Sequence, residues 1–354
     1  MSIIAYNFSE CGVSHKKNNV PCQDNSRIFT YGMWKVAVVA DGVGSCKCSD
    51  KASEIAVTSA LKTIYNCFPN NHKEEDILAL MKMAFHCAAN SVEMYVKSVN
   101  GEFIDYHTTL ALALYDGKNL YYGNAGDSGI VALDDYGDYH IVSEKQNNEY
   151  NAVITLASRK FEVGKVDYNV VAVLCMTDGL LDWIAPKSLE EAEIPVYVPR
   201  ANFFIHPEIW KCEEDITEDY VKSFSDDILQ KLREMVSDLD KYDNDPKIIK
   251  QFGNLTDGNL RDDLSVAVMV NTKADMSEEE INWQEPEQPT IEEIYIQKWE
   301  SIKILHSSVA EREFRCFILK NNPELNEDDA EEFALHIQEL LENKDKKTSE
   351  PEEL

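Results

Sequence analysis

The sequence predicts an α+β domain in which antiparallel strands and paired helices segregate into layers, followed by a helical extension. Three observations carry this. Strand-length apolar runs recur and break at acidic residues, as in WKVAVVADG and NVVAVLCMTDG. Asp116-Gly117 falls between two alternating runs, a strong hairpin signal. Two long stretches with helical apolar spacing follow one another between the first strands and the hairpin series. Successive hairpins imply antiparallel pairing and exclude a doubly wound parallel sheet.

Taken in order, WKVAVVADG reads as a buried strand breaking at Asp41-Gly42. SDKASEIAVTSALKTIYNCF is an amphipathic helix with Ser49 or Asp50 expected as N-cap, and a second helix is expected from about Lys73 to Val99. A strand series follows: TTLALALYD, NLYYGNAGD, SGIVALDD and DYHIVSE. NVVAVLCMTDG repeats the buried-strand-then-Asp-Gly pattern, and DDLSVAVMVN closes the series. Between them, Glu190 to Cys212 reads as irregular and Ile216 to Leu239 as a helix. Trp34 and Trp183 are expected in the core.

The chain has 354 residues and a net charge of −30, with 64 acidic against 34 basic side chains. So negative a chain cannot grip phosphate backbones or anionic lipid through excess Lys and Arg, which argues against nucleic-acid and membrane partners and against a nuclease. It favours cationic partners and divalent metals. The N-terminus lacks a basic flank before a long apolar run, so no signal peptide is expected, and no apolar run approaches a bilayer span. The 9 cysteines are odd in number and form no CxxC pair, which fits reduced thiols in a cytoplasmic protein better than a zinc site. Cys46 and Cys48 beside Lys47 read as solvent-facing loop residues.

Texture divides the chain into a catalytic domain over 1–272, an acidic linker over 273–290 holding Pro286 and Pro289, a helical extension over 291–343 and a disordered tail over 344–354. From Lys273 to Leu354 there are 23 acidic and 9 basic residues, nearly half the net charge on less than a quarter of the length. In the extension, Ile294, Trp299, Ile302, Leu305, Val309 and Phe314 lie on one helical stripe, and Asn326 or Asp328 caps a second helix. Packing on the catalytic domain is the preferred role, with docking of a basic partner the alternative.

The placement of the aspartates points to chemistry. Asp41 and Asp178 end apolar strands, Asp262 and Asp263 begin one, and Asp127 lies in a turn between two. Carboxylates from several strand ends can converge at one sheet edge, where they repel unless a cation joins them. Oxygen donors without His or Cys suit Mg²⁺ or Mn²⁺, and the glycines after Asp41 and Asp178 free the backbone to turn.

Six elements in order give the chain a resemblance to the metal-dependent protein phosphatases, the protein phosphatase 2C family, over about residues 3–270: GVSHKKNNVPCQDNS, VADGVGS, HTTLALAL, GNAGDSG, MTDGLLDW and RDDLSVAVMV. The resemblance implies a four-layer α-β-β-α sandwich of two antiparallel sheets flanked by helices. It implies that Asp41 bridges two Mn²⁺ or Mg²⁺ ions with the Gly42 carbonyl, that Asp178 and Asp262 hold the first ion, and that Asp127 helps hold a third, weaker one. Gln23 or Asp24 falls where the family's acidic residue meets the second ion through water. The implied activity is hydrolysis of phosphoserine or phosphothreonine by a metal-activated water, with phosphorylated proteins as substrates and a serine/threonine kinase as a further partner. Asp41, Asp178 and Asp262 are the expected catalytic residues.

This chain departs from the family in places. Where the family has a phosphate-gripping arginine it has His15, Lys16 and Lys17, with His15 or Lys16 the candidate replacement. Ser45 replaces the second glycine of Asp-Gly-x-Gly-Gly, and Gly129 replaces the arginine after Gly-Asp-Ser. His107, before Thr108 and Thr109, reads as a packed strand residue rather than a proton donor. Residues 144–167 lie where the family carries a flap, and with Glu190 to Cys212 they are the candidates for substrate selection. The competing function is a pseudophosphatase that binds a phosphoprotein or ligand without turnover.

Overall fold

The structure, a computed structural model, describes residues 3–143, 145–148, 152–185, 196, 198–205, 216–242 (199, 235 and 237–242 by backbone alone) and 260–274, and in the C-terminal part 299, 311, 314–319, 326, 330–331 and 333–337. The chain forms two compact units, Met1–Ile281 and Asn282–Leu354.

The larger unit runs β1 (Ile3–Glu10), α1 (Val13–Asn18), β2 (Asn25–Tyr31), β3 (Trp34–Ala40), α2 (Ser49–Cys67), α3 (Glu74–Ser98), β4 (Leu110–Tyr115), β5 (Leu120–Ala125), β6 (Gly129–Asp134), β7 (Tyr139–Ile141), β8 (Glu162–Lys165), β9 (Val170–Met176), α4 (Asp178–Ile184), α5 (Val198–Phe204), α6 (Glu218–Tyr242) and β10 (Leu264–Asn271). The strands make two five-stranded antiparallel sheets, ordered β1-β10-β9-β6-β7 and β2-β3-β4-β5-β8.

Strand alternation explains the layering. In β3, Val36, Val38 and Ala40 face α2 and α3, while Ala37 and Val39 face the other sheet. In β10, Val266, Val268 and Val270 face the helices α4, α5 and α6, and Ala267 and Met269 point between the sheets. Both faces of these strands are therefore apolar, so each reads as a continuous hydrophobic run. The helices match them: α3 buries Ile77, Leu80, Met81, Ala84, Phe85, Ala88, Val92 and Val96, a stripe at spacings of three and four. The result is the expected four-layer α-β-β-α sandwich, with Trp34 and Trp183 both in its cores.

Several local expectations differ. The expected hairpin at Asp116-Gly117 forms, with the Asp116 carboxylate accepting the Lys118 and Asn119 amides. By contrast, β5 and β6 do not pair: the chain turns a corner at Gly126-Asp127-Ser128 and crosses from one sheet to the other. Helix α2 takes Cys48 as its N-cap rather than Ser49 or Asp50, because the Ser49 hydroxyl donates back to the Cys46 carbonyl. Cys46 is buried rather than solvent-facing, its thiol directed at the Ile104 carbonyl at 3.1 Å. Within the stretch read as irregular, α5 is helical: Pro199 sits in its first turn, where no intrahelical donor is needed, and Ala201 and Phe204 anchor it in the core.

In the smaller unit, residues 314–319 and 333–337 are helical, Phe314 is buried, and its ring centroid is 5.1 Å from that of Trp299. The acidic linker from 275 onward and the tail lie outside the described residues. Among the described residues no helix is long and apolar enough to cross a membrane.

Candidate metal centre

Strand register brings the aspartates to one end of the sandwich. Asn25 pairs with Ala40, which sets Asp24 opposite Asp41. Gly129 pairs with Met176, which sets Asp127 beside Asp178. Val266 also pairs with Met176, so Asp262 and Asp263 enter from the start of β10 at the same edge. Residues separated by more than two hundred positions thus meet because every strand concerned begins or ends there.

Backbone hydrogen bonds knit the motif elements together. The Asp41 amide donates to the Thr109 hydroxyl at 2.9 Å, and the Asp41 carbonyl accepts from the Thr109 amide and the Thr108 hydroxyl, both at 2.8 Å. The Thr109 hydroxyl is in turn 2.8 Å from that of Ser128, which ties the turn carrying Asp127 to the loop carrying Asp41. Gly126 makes that turn with φ +116°, and a Cβ there would stand 2.5 Å from Thr109 Cγ2. Gly42 donates its amide to the Gln23 carbonyl.

A second network forms around Asp263. Its Oδ1 accepts the Gly12 amide at 2.6 Å and its Oδ2 the Gln23 amide at 2.5 Å, while its own amide donates to Asp262 Oδ1 at 2.9 Å. Gly12 is required by close approach, since a Cβ would lie 2.3 Å from the Asp262 carbonyl carbon. Asp263 therefore fixes the loops bearing Gly12, Gln23 and Asp262 in one arrangement, a role that sequence reasoning did not assign to it.

Burial sets the electrostatics. Desolvation holds Asp24 and Asp41 both well above the usual carboxylate range, with the Thr177 hydroxyl pulling Asp24 back and the charges of Asp24, Asp178 and Asp127 raising Asp41 further. Asp178 is pushed up to about 7, first by burial and then by Asp127, Asp262 and Asp182. Burial also raises Asp127, whose Oδ1 is buried with no protein hydrogen-bond partner. Gln23 Oε1 is likewise buried and unpartnered. Desolvated, mutually repelling carboxylates and stranded acceptors suit a hard cation in kind. Among the described residues, no group of three or more His, Cys, Asp or Glu side chains stands as a ready-made metal cage.

The remaining predicted residues lie as follows. His15 is on α1, a short helix closed by Asn19 in the left-handed region, and its Nδ1 lies 2.9 Å from Asp263 Oδ2 without an aligned hydrogen bond. Lys16 is engaged by Glu10, to which Arg233 also binds. His107 is not in a strand; its carbonyl accepts the Val43 amide and its Nδ1 is 3.1 Å from the Thr155 hydroxyl, so it joins the Asp41 loop to the segment over 152–167. That segment contains β8 on the edge of a sheet. Two further residues belong to the cluster and were not anticipated: Asp182, one helical turn after Asp178, and Lys145, which pairs with it. The repeated aspartate in DGLLD was the signal for the first; nothing in the sequence announced the second.

A family model described as protein phosphatase 2C matches residues 11–219, more than half of the chain, and the chain belongs to that family. The matched span holds Asp24, Asp41, Asp127 and Asp178, whereas Asp262 lies beyond it. Similar solved structures include serine/threonine phosphatase Stp1 from Staphylococcus aureus, 13% identical, with a TM-score of 0.47 over 76% of this chain and 95% of that one. The S. agalactiae serine/threonine phosphatase is 14% identical, with a TM-score of 0.48 over 76% of this chain and 99% of that one. The Mycobacterium tuberculosis serine/threonine phosphatase PstP/Ppp is 13% identical, with a TM-score of 0.46 over 76% and 99%. The family assignment rests on the family model, not on these superpositions. No curated protein sequence matches the chain.

Proposed function

We propose that the chain is a serine/threonine protein phosphatase that hydrolyses phosphoserine and phosphothreonine at a pair of Mn²⁺ or Mg²⁺ ions. The observation that carries this is the meeting of Asp24, Asp41, Asp127 and Asp178 at one end of the sandwich, where desolvation raises every one of them above the usual carboxylate range. Asp41 with the Gly42 carbonyl, Asp178 and Asp262 would hold the ions, with Asp24 or Gln23 reaching the second through water. Bound there, such ions supply a hydroxide at neutral pH and offset charge on the phosphoryl oxygens.

The chain's own residues do the rest. Thr108 and Thr109 fix the Asp41 carbonyl and amide, so its carboxylate needs little reorganisation. Asp263 orders the loop that presents Asp262 and the helix that carries His15. His15 remains the proposed phosphate-binding group, with Lys16 beside it. The substrates are phosphorylated proteins, a serine/threonine kinase is the expected counterpart, and the setting is cytoplasmic. The catalytic domain spans 1–272 in this reading, the linker 273–290, the extension 291–343 and the tail 344–354.

A second reading, a pseudophosphatase that holds a ligand without turnover, is favoured by one observation: His15 and Lys16 are already engaged by Asp263 and Glu10. Hydrolysis of p-nitrophenyl phosphate with Mn²⁺, against EDTA and an Asp178→Asn control, separates the two. The enzyme reading expects turnover that EDTA and the substitution abolish; a rate unchanged by either defeats it.

A further inference from the structure

We propose that Lys145 is a built-in cation: its ammonium stands in the acidic niche formed by Asp127, Asp178 and Asp182, so that this part of the site is neutralised by the chain itself rather than by a third metal ion. The inference deepens the binuclear reading above and rests on it.

Lys145 Nζ is ion-paired with Asp182 Oδ1, and both side chains are only about a quarter to a third exposed, at 26% and 32%. Asp182 lies four residues after Asp178 on the same helix, so the two carboxylates share a face. The lysine is held there by its backbone. The next residue, Gln146, donates its amide to the Gly126 carbonyl at 2.9 Å and its side-chain Nε2 to the Asn124 carbonyl at 3.1 Å, and its carbonyl accepts from the Ile154 amide. Gly126 immediately precedes Asp127, so the turn that presents Asp127 also anchors Lys145.

The charge arithmetic then decides between occupants. An ammonium paired with Asp182 still leaves room for cations on the Asp41 side, but a divalent ion bound between Asp127 and Asp182 would have to displace Lys145 and meet its repulsion. An ammonium is also present at every metal concentration, which a weakly held third ion is not. Lys145 is thus a positioning residue that acts through the carboxylates.

The test is the stoichiometry of Mn²⁺ binding to the full chain, read by electron paramagnetic resonance of free Mn²⁺ and by calorimetry. The wild type is expected to bind two equivalents, Lys145→Gln three, Lys145→Arg two, and Lys145→Gln combined with Asp127→Asn two again. Equal stoichiometry in wild type and Lys145→Gln, with both folded by circular dichroism, overturns the proposal and leaves the binuclear reading standing. No Mn²⁺ bound to any form overturns both. Should Lys145→Gln not fold, Asp182→Asn supplies the measurement: freeing the lysine of its partner while keeping its charge is expected to leave two equivalents, and a third equivalent there overturns the proposal.

Discussion

Thr177 donates its hydroxyl to Asp24 Oδ2 at 2.6 Å, although 153 positions separate them. The same hydroxyl accepts the Ser265 amide at 3.0 Å, so one side chain joins the loop before β2, the end of β9 and the start of β10. Thr177 precedes Asp178, and its hydrogen bond favours the ionised form of the buried Asp24. Removing the hydroxyl strands both a carboxylate and an amide in the interior. Thr177→Val is expected to cost about 2–4 kcal/mol, whereas Thr177→Ser stays close to wild type. Urea denaturation of the two variants checks this, and equal losses would remove the hydrogen bond from the account.

Asp263 presents a similar case with two backbone donors. In Asp263→Ala the amides of Gly12 and Gln23 lose their acceptor, and about 3 kcal/mol of stability is expected to go with them. Asp263→Asn keeps one acceptor oxygen and should lose less than half of that. Chemical denaturation of the metal-free protein measures both, and a neutral Asp263→Ala would contradict the organising role.

Gly12 tests steric closeness rather than polarity. A methyl at this position would lie 2.3 Å from the Asp262 carbonyl carbon, and the obstacle is backbone that cannot swing aside. Gly12→Ala is expected to lower Mn²⁺-dependent turnover at least tenfold by shifting Asp262. Steady-state kinetics at saturating Mn²⁺ decide it: an unimpaired kcat would show that the placement of Asp262 does not matter.

The raised carboxylates give the metal-free protein a definite pH dependence. Asp178 titrates near 7 when folded and near 4 when unfolded. It binds its proton more tightly in the folded state, so its stabilising contribution is complete below about pH 4 and is lost as pH rises through 7. Asp24 and Asp41 act in the same direction. In EDTA, Asp178→Asn should therefore melt progressively higher than wild type as pH goes from 5 to 8. A difference in Tm that does not change with pH would contradict the coupling.

Much of the layering was legible because the apolar runs were long and the Asp116-Gly117 turn unambiguous. The aspartates at strand ends were legible for the same reason: a strand terminus is visible as the point where an apolar run breaks. What escaped depends on partners far apart in sequence. Lys145 lies in a polar segment like many others, and only the fold brings it to Asp182. The inward role of Asp263 was hidden beside its neighbour Asp262, since adjacent acids look alike until the backbone turns one toward Gly12 and Gln23. The corner between β5 and β6 is not legible because Gly-Asp-Ser suits a hairpin turn as well as a crossing between sheets. Helix α5 is hidden by its proline, which suggests a break although the first turn of a helix tolerates one.

Carboxylates from distant strand ends are proposed to share divalent cations at this end of the sandwich. Crystals soaked in Mn²⁺ and measured for anomalous scattering test it most directly. Two strong peaks are expected against the Asp41 carboxylate, one of them also touching Asp178 and Asp262, and none between Asp127 and Asp182. Peaks only at the protein surface, or none at all in a fully occupied soak, would contradict it.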